Sequence, residues 1–219
     1  MHVNPQAPAV VPAAEEAPSA RPRTKAGQSE ATTAALIRAG RELFAERGYA
    51  DVATEEIVAR AGVTRGALYH HFKGGKEELF HAVVVEINAE TVRHVSEVAR
   101  AQTDPWDQLA AGADAFLDAF AAPEVQRIVL VDAPSVLGWD IWRAIDSEQG
   151  LGLVQAAIQR AIDAGRLMPQ PANALAHVVL GALNEAAMVV AGADDPAAAR
   201  AEMSATVRRL LEGLRAPEV

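Results

Sequence analysis

Apolar residues recur at three- and four-residue steps along most of the chain, the repeat of a helix with one buried face. Leu36, Ile37, Gly40, Leu43 and Phe44 share a face in the first such stretch. Phe80, Val84, Ile87, Thr91, Val95 and Val98 run along a longer one, and Trp106, Leu109, Ala113, Phe116 and Phe120 along a third. The third opens with Asp104 as N-cap and Pro105 at the first helical position, where its missing N–H costs nothing. Leu151, Val154, Ile158 and Ile162 form another stripe, and Met203, Val207, Leu210 and Leu214 the last. Prolines and glycines cut the chain into helix-length pieces. The runs Val83–Val85 and Ile128–Val131 are strand-like in isolation, but no hairpin turn or alternating partner accompanies them, so the chain reads as all-α.

Within this pattern residues 54–80 stand out. A short helix from Glu55 to Ala61 ends at Gly62, which permits a tight turn. Thr64 is placed to cap a second helix of two turns, about Arg65 to Phe72. Ile57, Ala61, Val63, Leu68 and Phe72 face inward; Thr64, Arg65, Gly66, Tyr69 and His70 face outward. That is a helix-turn-helix, whose second helix enters the major groove of DNA. Arg65 has the reach for a bidentate pair with guanine. Gly66 lets the backbone approach the duplex, and Tyr69 and His70 can donate to phosphate oxygens. Thr54 and the amides after it are placed for the other strand's backbone, and Lys76, at the start of the next helix, for a phosphate. The plainer alternative is a helical bundle with Arg65 solvated and Tyr69 at the core rim. The adjacent His70 and His71 point about 100° apart on a helix, so a shared metal ion is not expected.

Composition first opposes this reading and then sharpens it. The 219 residues carry a net charge of −9, which taken whole disfavours a nucleic-acid partner. Divided along the chain, residues 21–81 are net +2 and residues 82–219 net −9. The absence of cysteine excludes disulfides, iron–sulfur clusters and a thiol nucleophile. Residues 1–28 hold five Pro and seven Ala with no aromatic residue, and read as a disordered tail. The tail lacks the pattern of a signal peptide. Its basic end, Arg21 to Lys25, is either a solubilising segment or an arm that touches DNA. The most apolar region, 172–193, contains His177, Asn184 and Glu185, so no membrane span is expected.

The order of residues over positions 36–80 resembles the DNA-binding domain of the TetR family of transcriptional regulators. The resemblance rests on Leu36, Ala39, Leu43 to Tyr49, Ile57, Ala61-Gly62-Val63, Gly66, Leu68 to Phe72, and Lys76 to Phe80. Two departures are visible. Ala53 stands where the family usually has Ser or Thr, leaving Thr54 to cap one residue later. The linker Phe72-Lys-Gly-Gly-Lys76 is one residue longer than the commonest form. The resemblance implies a cytoplasmic, ligand-responsive repressor that binds a palindromic double-stranded DNA operator as a homodimer. It implies a helix-turn-helix domain over 29–75 and a ligand-binding and dimerisation bundle over 76–219, with a small-molecule effector but no cofactor or metal. The helix from about 76 to 102, which joins the two, is the candidate lever.

Expectations for the acidic region are coarser. The aromatic residues Trp106, Phe116, Phe120, Trp139 and Trp142 are either core or the lining of an effector pocket. Asp132-Ala-Pro134 and Gly138-Trp139 suggest a broken helix beside such a pocket. Two C-terminal helices, about 171–191 and 196–215, are apolar on more than one side and point to a subunit interface through Leu183, Ala187, Val190, Val207, Leu210 and Leu214. His177, Asn184 and Glu185 form a polar stripe that serves as solvent edge, pocket lining or cross-subunit bonds. The rival readings are an enzyme and a partner-binding helical module without DNA binding. No nucleophile elbow, metalloprotease motif or phosphate loop favours the enzyme.

Overall fold

A computed structural model describes Met1 and residues 25–217. Among the described residues the chain forms nine helical runs. These are α1 (Lys25–Arg47), α2 (Thr54–Ala61), α3 (Arg65–His71), α4 (Lys76–Arg100), α5 (Pro105–Phe120), α6 (123–137), α7 (139–163), α8 (Ala172–Ala191) and α9 (Pro196–Glu212). The tail reading for residues 2–24 lies outside the described residues. Its boundary at residue 28 is corrected, because α1 already begins at Lys25.

The first three helices close on a core of Leu36, Leu43, Phe44, Ile57 and Leu68, completed by Leu79 and Phe80 from the start of α4. Phe44 and Tyr49 both set their rings edge-on against Phe80, at 5.2 and 4.9 Å. α4 is therefore part of the N-terminal core at one end. It then runs about 37 Å at 1.5 Å per residue, and packs along α5 in the C-terminal bundle. α5 starts as its sequence dictates: the Asp104 carboxylate accepts from the Trp106 N–H at 2.8 Å, with Pro105 next to it.

α6 and α7 are less regular. The apolar run Ile128–Val131 is helical, inside a π-helical stretch from Gln126 to Asp132. Gly138, at φ +83°, separates α6 from α7, and a second π-helical stretch, Ser147–Leu151, widens α7. The Trp142 indole donates to the Val129 carbonyl at 2.8 Å and ties the two helices across the break. By length and mean hydropathy (1.7) α8 is apolar enough to cross a membrane. Here it packs against α5, α7 and α9, and its Asn184 is buried and hydrogen-bonded, as expected of a core helix.

Candidate functional site

The outward face of α3 comprises Thr64, Arg65, Gly66, Tyr69 and His70, all exposed, while Leu68 and Phe72 are buried beneath it. Thr64 caps the helix by accepting from the Ala67 N–H at 3.2 Å. A Cβ at Gly66 would meet only the Thr64 hydroxyl, at 3.8 Å, so nothing inside the protein requires glycine there. Tyr69 leans over Gly75, whose φ of +66° and contact with the ring (3.1 Å for an added Cβ) exclude a side chain. Arg65 is paired with Glu55 of α2 at 2.7 Å and lies 5.7 Å from the Tyr69 ring centroid. His71 turns away from His70 and shares a 3.2 Å hydrogen bond with Thr33 on α1.

Two placements differ from expectation. Thr54 is not the cap of α2. The helix begins at Thr54 with Ala53 in the cap position, and the Glu56 carboxylate accepts from the Ala53 N–H instead. Lys76 is half-buried, and its ammonium donates to the carbonyls of Tyr49 (2.9 Å) and Val52 (2.8 Å) while lying 4.1 Å from the Tyr49 ring centroid. Burial pushes its pKa down, opposed by Asp51. This side chain holds the α1–α2 loop on the start of α4 and is not a free cation turned toward phosphate.

The N-terminal core is also tied to the C-terminal bundle through α6. The Arg41 guanidinium on α1 reaches Glu124 of α6 at 2.6 Å, Glu90 of α4 at 2.7 Å and Glu86 at 3.7 Å. Its bond to Glu124 raises its pKa further, against the opposing effect of burial. Asp132, also on α6, accepts from the Tyr49 N–H at 2.8 Å. Gly48 precedes Tyr49 with φ +84°, and an added Cβ would meet the Arg127 guanidinium at 3.1 Å and the Asp132 carboxylate at 3.4 Å. Sequence reasoning gives none of these residues a role, because their partners lie 45 to 83 positions apart.

In the C-terminal bundle α4, α5, α7 and α8 enclose a cavity of about 420 Å³. Phe116 and Phe120, stacked at 4.5 Å, are on its wall. The other three candidate aromatics are not. Trp106 is buried with the Arg215 guanidinium 5.0 Å from its ring centroid, Trp142 is bonded to Val129, and Trp139 is 54% exposed beside Trp142. The broken helix thus borders the Tyr49 loop rather than the cavity. Sequence reasoning offers pocket lining as one reading of Asn184 but does not single out its partner, Asp146. Asp146, on the same helical face as the buried Trp142, accepts from the Asn184 amide at 2.7 Å, and burial pushes its carboxyl pKa up against the effect of that bond. Its i, i+4 spacing from Trp142 placed an acid in an apolar stripe, a signal legible in the sequence.

The proposed interface residues also divide. Leu183, Ala187, Val190 and Val207 are buried inside their own protomer, and Leu183 lines the cavity. Leu214 is half-buried, and only Leu210, at 61%, is exposed. The unpartnered apolar residues of α8 are instead Val178 and Val189. Of the polar stripe, His177 and Glu185 are exposed and Asn184 is buried.

Comparison with known proteins agrees with this architecture at both ends. Residues 36–83 match the model of the bacterial regulatory proteins, tetR family, and residues 106–214 that of the tetracyclin repressor-like C-terminal domain. A crystal structure of a TetR-family transcriptional regulator from Pectobacterium atrosepticum is 37% identical. It covers 90% of this chain and all of its own, with a TM-score of 0.79. The chain belongs to the TetR family of transcriptional regulators. It is therefore a helix-turn-helix, DNA-binding regulator of transcription. Among curated TetR-family relatives, the transposon Tn10 TetC protein of Escherichia coli is 27% identical over 155 residues, 69% of this chain and 76% of TetC. The transcriptional repressor BepR of Brucella suis is 34% identical over 108 residues, about half of each chain. In this TetR-family member the helix-turn-helix is α2–α3, and the C-terminal match spans α5 to α9.

Proposed function

We propose that this regulator is a ligand-responsive repressor that binds a palindromic operator as a homodimer in the cytoplasm. One observation carries the reading: α4 is shared between the recognition unit and the cavity. Its N-cap Gly75 lies under the Tyr69 ring of α3, its first turn packs on α1 and Tyr49 through Leu79 and Phe80, and residues 88–100 form a cavity wall. A ligand that fits the cavity better in one position of α4 shifts the population toward it, and with it the spacing of two recognition helices. Arg65 reads a base edge, Gly66 gives the duplex room, and Thr64, Tyr69 and His70 meet the backbone, with Thr54 and the first amides of α2 on the other strand. Lys76 acts by holding the loop. The DNA-binding unit spans 25–75 and the effector and dimerisation unit 76–219. The subunits meet through α8 and α9, on the side that carries Val178, Val189 and Leu210. The regulator reading is preferred over catalysis because the buried polar groups of the cavity include one acid–amide pair and no nucleophile beside a base.

The test is a gel shift with the DNA flanking the gene. A discrete complex is expected that is lost on adding the effector, and Arg65→Ala should relax preference at one base pair in each half-site. Unchanged sequence preference in that variant would remove Arg65 from base reading.

A further inference from the structure

The cavity is chemically different at its two ends. At one end Asp146 and Asn184 are paired, Asn88 is buried, and the Gln149 Oε1 has no hydrogen-bond partner. The Gln149 amide nitrogen reaches the Val85 carbonyl, which fixes this end near Val85–Asn88 of α4. The far end lies twelve residues along the same helix, about 18 Å away at 1.5 Å per residue. There Arg100 and Arg160 line the cavity, and among the described residues neither has an ion-pair partner. Two contacts bring these arginines to one end. Gln108, at the start of α5, bonds the Gln102 carbonyl just beyond Arg100. Arg166, six residues after Arg160, pairs with Asp104 at 2.6 Å. Between the ends the wall is mostly apolar, with Val95, Phe116, Phe120 and Leu183 among its residues, and is interrupted by the Thr91 and Ser96 hydroxyls.

We infer that the effector is an elongated amphipathic monoanion, with a carboxylate at Arg100 and Arg160, an apolar body along α4 and α5, and a hydroxyl at its opposite end that donates to the Gln149 Oε1. The assignment rests on the reading of the cavity as the effector site. Unpaired arginines favour a carboxylate by charge-assisted bonds. A buried acceptor without a donor, here the Gln149 Oε1, penalises a ligand that brings none, which is how a site selects a hydroxyl over a methyl end. A cationic ligand is disfavoured by the arginines, which are exposed at their end of the cavity, and a wholly apolar one leaves the Gln149 Oε1 unsatisfied and gains nothing from the arginines.

Calorimetry on the full chain with three probes tests this: 12-hydroxydodecanoate, dodecanoate and 1,12-dodecanediol. The hydroxy acid should bind at least about tenfold more tightly than either of the others. An Arg100→Ala, Arg160→Ala double variant should lower its affinity to that of the diol. Gln149→Leu should lower it to that of dodecanoate, and Gln149→Met should act in the same direction if the first variant folds poorly. Equal binding of dodecanoate and the hydroxy acid, equal binding of the diol, or no binding of any probe would overturn the assignment. Release of operator DNA is read separately by gel shift. Binding with the expected order but without release upholds the ligand chemistry and overturns the ligand-responsive reading. Release by another compound whose affinity ignores all these substitutions overturns the chemistry and leaves that reading standing.

Discussion

Replacing Arg41 with Met keeps the length of the side chain and removes the only cation that, among the described residues, pairs with Glu86, Glu90 and Glu124. Each of the two short bonds, at 2.6 and 2.7 Å, is a charged hydrogen bond of the kind that contributes about 1.5–3 kcal/mol when sheltered. The three carboxylates are each roughly 40% exposed, so solvent reduces that contribution substantially. A net loss of about 1–2 kcal/mol is expected, including the repulsion left among the carboxylates. For a chain of this length that is a fall in Tm of about 2–8 °C. Thermal unfolding at low salt measures it, and 0.5 M NaCl should narrow the gap between wild type and variant. A double-mutant cycle with Glu124→Gln should return a coupling of about 1 kcal/mol. If the two substitutions add without coupling, the pair contributes nothing across the α1–α6 contact. The same variant should weaken the effect of ligand on operator affinity, because α6 then keeps its Asp132 bond to the Tyr49 amide but loses its Glu124 tie to α1.

Three further outcomes follow from the site. Glu55→Gln frees Arg65 from its 2.7 Å partner and removes a negative charge beside the duplex, so operator binding should tighten severalfold, read by fluorescence anisotropy; weaker binding would mean that Glu55 orients Arg65 productively. Asp146 has a folded-state pKa above its unfolded value, so the folded protein holds a proton that the unfolded chain has lost. Its contribution to stability is therefore fully present below about pH 4 and is lost as pH rises through the folded pKa. Asp146→Asn should be increasingly more stable than wild type as pH rises through that window, and a pH-independent difference in denaturant midpoint would contradict the assignment. Val178→Glu with Leu210→Glu should give folded monomers by light scattering, whereas Leu183→Glu should unfold the protomer; a folded monomeric Leu183→Glu would reverse the interface assignment.

The parts that were legible in the sequence are those built from local contacts. The Gly62 turn, the Thr64 cap, the Asp104–Pro105 start and the outward face of α3 all follow from residues within a few positions of one another. Lys76 fits a phosphate contact equally well by type and position, and the two carbonyls that hold it belong to a loop 24 and 27 residues earlier, beyond the reach of local pattern. Leu183 and Val190 were assigned to an interface because α8 is apolar around most of its circumference. Periodicity alone does not tell a helix buried by its own chain from one buried by a second subunit. Only packing shows that α5, α7 and α9 cover those residues. The three tryptophans illustrate the same limit: large rings at helical spacing indicate burial, but not what lies on the other side.

The bond between the Trp142 indole and the Val129 carbonyl has an optical consequence. Trp139 and Trp142 sit 4.9 Å apart just after the Gly138 break, and Val129 is three residues from the carboxylate that holds the Tyr49 amide. No tryptophan is among the residues that line the cavity. Intrinsic emission is thus poorly placed to register a ligand directly, yet well placed to register movement of α6 against the DNA-binding unit. The unlabelled protein carries its own probe of communication between its two halves, and a spectral change on ligand addition would report the transmitted signal rather than the occupied site.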